Sequence, residues 1–270
     1  MRKFMTLIDI EMNRIFKVFL PALLIYIILG VGNSIIKANN IMNSYKDKAK
    51  IAGQSVEEYF KKVPYDQVTI KSVCYDNYVI NYGIALVIFG VLAYSLMIWY
   101  REWFGNNKTI YTLLVLPFNR TKIYAAKFIT IIAMLLCSIS AFMFTLIGFY
   151  VVNKKIIIQQ AIAPYKLKDV IGENGIYSKG LSLNGLLVIT ALAIISFLFF
   201  FCAMERSFRI KGLILGLILG GVILGVTILI FTQKNLYYIE KKWMISGFYF
   251  ITMIGTIVYC NYLLKNKVAV

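Results

Sequence analysis

The sequence predicts an all-α, polytopic membrane protein with six transmembrane helices. Of its 270 residues, 60% are hydrophobic and 15% are charged, whereas soluble domains carry about a quarter charged residues. The apolar residues form six runs of the length, about 20 residues, that crosses a hydrocarbon core of about 30 Å. Lipid offers backbone polar groups no partner, so each run should be helical. The predicted spans are 16–36, 79–100, 128–151, 185–204, 212–231 and 245–264.

Residues 2–17, RKFMTLIDIEMNRIFK, precede the first span. Apolar side chains occupy one side of a helical wheel and polar ones the other, with Ile10 and Glu11 as departures. The pattern predicts an amphipathic helix lying in the inner membrane interface. The alternative is a basic flank that only orients the first span. That span is expected to remain as an anchor, because no small-residue cleavage site follows it.

Charge placement predicts the orientation of the chain. Lysine and arginine together are almost evenly divided between the two sides, so their total does not decide it. Arginine alone is one-sided, since every arginine falls on the side of the amino terminus: Arg2, Arg14, Arg101, Arg120, Arg206 and Arg209. We therefore expect both termini in the cytoplasm, a cytoplasmic segment at 101–127, and outer loops at 37–78, 152–184 and 232–244. A short helix is expected before Pro64.

Several kinds of chemistry lack their residues. The chain has no histidine and no GxxxxGK[ST] motif, which removes histidine-dependent metal sites and a P-loop nucleotide site. No catalytic, cofactor-binding or metal-binding residue is predicted, and the four cysteines are expected to be buried as small apolar side chains. The net charge of +17 is assigned to membrane flanks and anionic lipid, with no nucleic-acid partner.

No carboxylate is predicted inside a span. The acidic residues nearest the membrane are placed outside the spans or at their ends: Asp9, Glu11, Glu102, Glu205 and Glu240. An ion-coupled carrier usually needs an ionisable or broken-helix site near the midplane. A stand-alone secondary carrier is therefore disfavoured, and a transporter of this kind would need a partner that supplies energy.

The fifth predicted span contains GLILGLILGGVILG. Small residues spaced four apart let helices approach closely in lipid. The sequence predicts a helix-packing face, and leaves open whether its partner is another span or a second subunit. The glycines concerned are Gly212, Gly216, Gly220, Gly221 and Gly225.

The segment after the second span is REWFGNNKTIYTLLVLPFNR at 101–120. It contains the turn and helix-breaking residues expected at the two ends of a short cytoplasmic helix. Gly105 permits a turn, and Pro117 would end a helix through KTIYTLLVL. Trp99 and Trp103 are predicted as interfacial anchors. Arg120, Lys122 and Lys127 are predicted to hold the start of the third span at the anionic inner surface.

This segment resembles the region after the second span of ABC (ATP-binding-cassette) type-2 permeases. In those proteins an acidic residue and a glycine lead through "LL..P..R" to a lysine that opens the next span. The positions here that carry the resemblance are Glu102, Gly105, Thr109, Leu113, Leu114, Pro117, Arg120 and Lys127. The six-span layout is also similar, while the polar run at 106–108 departs from many relatives.

The resemblance implies the permease subunit of an ATP-driven exporter. Residues 105–117 would be the coupling helix that docks on a separate cytoplasmic ATPase, which would bind the ATP and magnesium. A second permease copy or a sister permease would complete the transporter. An amphipathic or hydrophobic cargo, such as an antimicrobial peptide, drug or lipid-like molecule, would fit spans without charge. The alternative is a non-transporting accessory or sensor subunit of a larger membrane complex.

Overall fold

The computed structural model describes residues 2–63, 67–75, 77–104, 120–157, 161, 162, 164, 184–233 and 237–266. Within this part of the chain the structure is helical and contains no β-strand, only one bridge between Val68 and Ile162. The helices are α1 (Arg2–Ile51), α2 (Val56–Lys62), α3 (Ile70–Tyr75), α4 (Tyr78–Phe104), α5 (Arg120–Ile156), α6 (Asn184–Phe208), α7 (Ile210–Thr232) and α8 (Tyr238–Asn266).

Six of these helices are long and apolar enough to cross a membrane: α1 and α4 to α8. Each of the six predicted spans lies inside one of them, in order. Among the described residues, the prediction of an all-α fold is confirmed, and six helices have the length and composition expected of a multi-pass membrane protein.

The first helix is longer than predicted. It runs without interruption from Arg2 to Ile51 and contains Pro21, so it includes the predicted interfacial segment, the first span and the beginning of the predicted first outer loop. The expected helix before Pro64 is present as α2, where Ser55 and Glu58 form a capping box that satisfies backbone donors at its start. Phe60 of α2 packs edge-on against Tyr45 of α1, with ring centroids 4.8 Å apart.

The chain forms two compact units. The first unit contains residues 1–15, 90–134 and 184–270, and the second unit contains residues 16–89 and 135–183. The helices α1, α4 and α5 each contribute one part to the first unit and another to the second.

A buried amide organises the second unit. Asn77 is fully buried and accepts a hydrogen bond of 2.6 Å from Asn33 of α1. Its own amide nitrogen donates to Ser34 Oγ at 3.1 Å, and its oxygen accepts from the backbone N–H of Ile80 in the first turn of α4. Buried polar groups require such partners, so Asn77 fixes the packing of α1 against the start of α4.

In the first unit, α6 packs against both α7 and α8. A single residue, Arg209, joins α6 to α7, and its φ of 53° lies in the left-handed region. Close behind this turn, Gly212 lies against the backbone carbonyl of Met204. Two further glycines of α7 continue the contact, Gly216 against Phe201 and Gly220 against Phe197.

The remaining glycines of the stripe lie elsewhere on α7. A Cβ atom added at Gly221 or Gly225 would meet nothing within 4 Å. Within the described part of the chain, the stripe is therefore divided into glycines that contact α6 and glycines with open space at the Cβ position.

We predict that Arg209→Gly stabilises the protein by about 1 kcal/mol, because glycine adopts a positive φ without the strain that other residues carry there. The expected rise in Tm is about 2–4 °C, measured by thermal unfolding in detergent. Lys211→Gly is the matched control. It also removes one positive charge, but from a helical position in the first turn of α7, where glycine is unfavourable, so it should lower Tm. A lower Tm for Arg209→Gly would contradict the strained turn.

We predict that Gly212→Ala destabilises the α6–α7 pair by about 1–3 kcal/mol, because the new methyl group would overlap the Met204 carbonyl and backbone cannot give way as a side chain does. Gly221→Ala should leave Tm unchanged or slightly higher, since the site is open and alanine favours helix. Equal thermal midpoints for the two variants would refute the close approach.

Candidate functional site

The predicted coupling residues fall mainly outside the described part of the chain. Gly105, Thr109, Leu113, Leu114 and Pro117 belong to residues 105–119, which the structure does not describe. Of the other two, Glu102 belongs to the last turn of α4, and Arg120 is the first residue of α5. We call α4 and α5 the two stems, because they lead into and out of residues 105–119.

A carboxylate from α1 binds both stems. Glu11 is buried, with 3% of its surface exposed. Its Oε1 accepts a hydrogen bond of 2.8 Å from Lys127 Nζ of α5, and its Oε2 lies 3.4 Å from Arg101 Nη2 of α4. The Lys127 side chain is buried, whereas the Arg101 side chain is 38% exposed. We call Glu11, Lys127 and Arg101 the charge cluster.

Aromatic side chains surround the lysine of this cluster. Lys127 Nζ lies 5.5 Å from the centre of the Trp99 ring, within the range of a cation–π contact. Trp99 is itself buried and packs against Phe199 of α6 and Tyr124 of α5, with centroids 5.6 and 6.5 Å apart. The ammonium group therefore has a carboxylate and a π face in place of water.

These positions correct two predictions. Trp99 was expected as an anchor at the membrane surface, and Lys127 as a contact to anionic lipid; both side chains are buried inside the first unit. Their partners explain the difference, because a lysine can leave water when a carboxylate replaces its solvation. The side chain of Lys122 is exposed, which is compatible with its predicted surface position.

A second polar contact extends the connection to α6. The hydroxyl of Tyr100, the neighbour of Arg101, donates a hydrogen bond to Glu205 Oε2 near the end of α6. The last turns of α4 are thereby bound to α1 through Arg101 and to α6 through Tyr100. Four helices of the first unit meet at this polar layer.

Sequence reasoning missed Glu11 as a site residue. It placed Glu11 outside the spans and noted only that this residue departs from the amphipathic pattern of residues 2–17. That departure was the available signal, since an acidic residue on an apolar helix face needs a cationic partner. The partner could not be identified locally, because Lys127 is 116 residues away in the chain.

The charge cluster is poorly suited to acid–base or metal chemistry. Its carboxylate already contacts two cations, so it is poorly placed to act as a base. Among the described residues, no group of three His, Cys, Asp or Glu side chains could hold a metal ion. Cys74, Cys202 and Cys260 are buried, as predicted, and Cys137 is half-buried.

Comparisons with protein-family models, with curated proteins and with solved structures find no match to this chain.

We predict that Glu11→Gln destabilises the protein by about 3–5 kcal/mol, because the buried Lys127 ammonium loses its carboxylate. Asp9→Asn is the control: it removes an exposed carboxylate from the same segment and should change stability by less than about 0.5 kcal/mol. Thermal unfolding in detergent measures both. If the two variants unfold at the same temperature, the charge cluster does not stabilise the fold.

Proposed function

We propose that this chain is the permease subunit of an ATP-driven ABC exporter, with ATP and magnesium bound by a separate cytoplasmic subunit. The observation that carries the proposal is the pair of stems. Residues 105–119, which carry most of the resemblance to type-2 permeases, join two helices that Glu11 binds in one buried cluster. A force applied to this segment would therefore reach α1, α4 and α5 together.

Two further features support the proposal. Six helices are suited to crossing a membrane, and the sequence has neither a P-loop nor a histidine. A transporter built from such a chain needs energy from outside, and residues 105–117 are the proposed coupling helix that receives it. In this proposal both termini are cytoplasmic, residues 2–17 begin α1 at the inner face, and the membrane is the bacterial plasma membrane.

The proposed cargo is amphipathic or hydrophobic, such as an antimicrobial peptide, a drug or a lipid-like molecule. The apolar helices favour this class, because a strongly charged cargo would need charged groups along its path. A second permease copy or a sister permease would provide the other half of the path. A Cβ atom added at Gly221 or Gly225 would meet nothing within 4 Å in the described chain, so these positions leave room for such a partner.

One observation favours the alternative of a sensor or accessory subunit. The second unit contains an open groove of about 630 Å³, large enough to hold a small ligand. It is lined by side chains of α1, α3 and the residues before α3: Asn40, Ile41, Ser44, Tyr45, Lys48, Gln67, Val68, Thr69 and Ser72. In the proposed orientation this groove faces outward.

Co-purification tests the exporter proposal. We expect the affinity-tagged chain, extracted from its own membranes in mild detergent, to recover an ABC ATPase identified by mass spectrometry. Leu113→Asp should reduce recovery at least tenfold, a loss of about 1.4 kcal/mol of binding free energy, and Glu102→Ala should reduce it less. Tyr237→Asp is the control, because it changes an exposed residue on the opposite predicted side.

Two results would contradict the exporter proposal or its docking helix. Recovery of no ABC ATPase with the wild-type chain would reject the exporter and leave the sensor alternative. Undiminished recovery with Leu113→Asp would reject residues 105–117 as the docking helix.

A further inference from the structure

We propose that Glu11 is a positioning residue that couples the amino-terminal segment of α1 to the two stems. A movement of residues 105–119 would then reach α1 as well as α4 and α5. Its carboxylate holds both stems at once, so that the amino-terminal segment of α1 moves with them. This inference rests on the proposed function, because it assumes that residues 105–119 receive a push from a partner.

The contact of Glu11 with both stems, which we call the tie, lies near the ends of α4 and α5 that lead into residues 105–119. Arg101 lies about one turn before residue 105, and Lys127 lies about two turns after residue 119. The two oxygens of Glu11 divide between them, Oε1 to Lys127 and Oε2 to Arg101. A single side chain thus bridges the two stems and attaches a third helix to them.

Burial makes the contact of Glu11 with Lys127 stronger than its contact with Arg101. Lys127 is 1% exposed, so separating it from Glu11 would leave a charge in a setting without water, which is strongly disfavoured. The contact of Glu11 with Arg101 is longer, and the Arg101 side chain is partly exposed. Arg101 can therefore exchange Glu11 for water at a smaller cost in free energy. We therefore assign the main attachment of α1 to α5 and the adjustable one to α4.

The tie acts on α1 as one continuous helix. The helix is uninterrupted from Arg2 to Ile51, and only its first part, to Ile15, belongs to the first unit. A displacement applied at Glu11 would therefore reach the turns of α1 that belong to the first unit.

A double variant separates positioning from stability. Glu11→Gln removes only the anion and strands the lysine charge, whereas Glu11→Gln with Lys127→Met removes both charges and keeps similar volumes. The double variant should therefore recover most of the thermal stability that Glu11→Gln loses. It should loosen the attachment of α1 to the stems, since neither ion pair remains. Glu11→Asp retains the charge and is the conservative control.

The first measurement uses the chain alone in lipid nanodiscs. Hydrogen exchange of residues 2–15 should be at least tenfold faster in the double variant than in wild type, at a Tm within about 3 °C of wild type. Asp9→Asn should exchange like wild type, and Glu11→Asp, which keeps the charge on a shorter side chain, should fall between wild type and the double variant. Unchanged exchange in the double variant would overturn the proposed tie, whatever the partner does.

The second measurement uses the complex with the co-purified ATPase. The double variant should bind the ATPase as well as wild type does, while the stimulation of ATP turnover by the permease falls at least fivefold. Full stimulation in the double variant would overturn the coupling role of Glu11. If wild type recovers no ATPase, the proposed function and that coupling role fail together, and faster exchange in the nanodiscs still supports the tie.

Discussion

The arrangement of the first unit depends on one buried carboxylate. Glu11 is removed from water, and it can stay there only while cations from two other helices replace its solvation. Lys127 and Arg101 supply that replacement, so three helices are fixed relative to one another at this level. The aromatic side chains around Lys127 and the contact of Tyr100 with Glu205 then attach α6 to the same layer.

The spans were predictable because their signal is local. A run of about 20 apolar residues has few fates other than a membrane helix, and all six predicted runs lie within helices of the structure. The helix ends were less predictable. Residues 37–51 read as a polar loop, yet they continue α1 because Tyr45 and Met42 pack into the core of the second unit, and hydropathy carries no information about that contact.

The candidate site divides in the same way. Glycine, proline and flanking charges marked residues 101–120 as a distinct segment, since turn and breaker residues act on their own neighbourhood. The buried roles of Glu11, Lys127 and Trp99 were out of reach, because an isolated charge or tryptophan near a span end is ordinarily placed at the membrane surface. Only the fold brings together residues so far apart in sequence, and then the surface assignment is reversed.

The one-residue connection at Arg209 has a consequence for how the protein is made. Two spans separated by a single residue leave no loop that could wait on one side of the membrane while the second span enters. The glycine contacts of α7 with α6 begin immediately after the turn, so the two helices can pair as soon as both have left the ribosome. During synthesis α6 and α7 would therefore enter the bilayer as one preassembled hairpin.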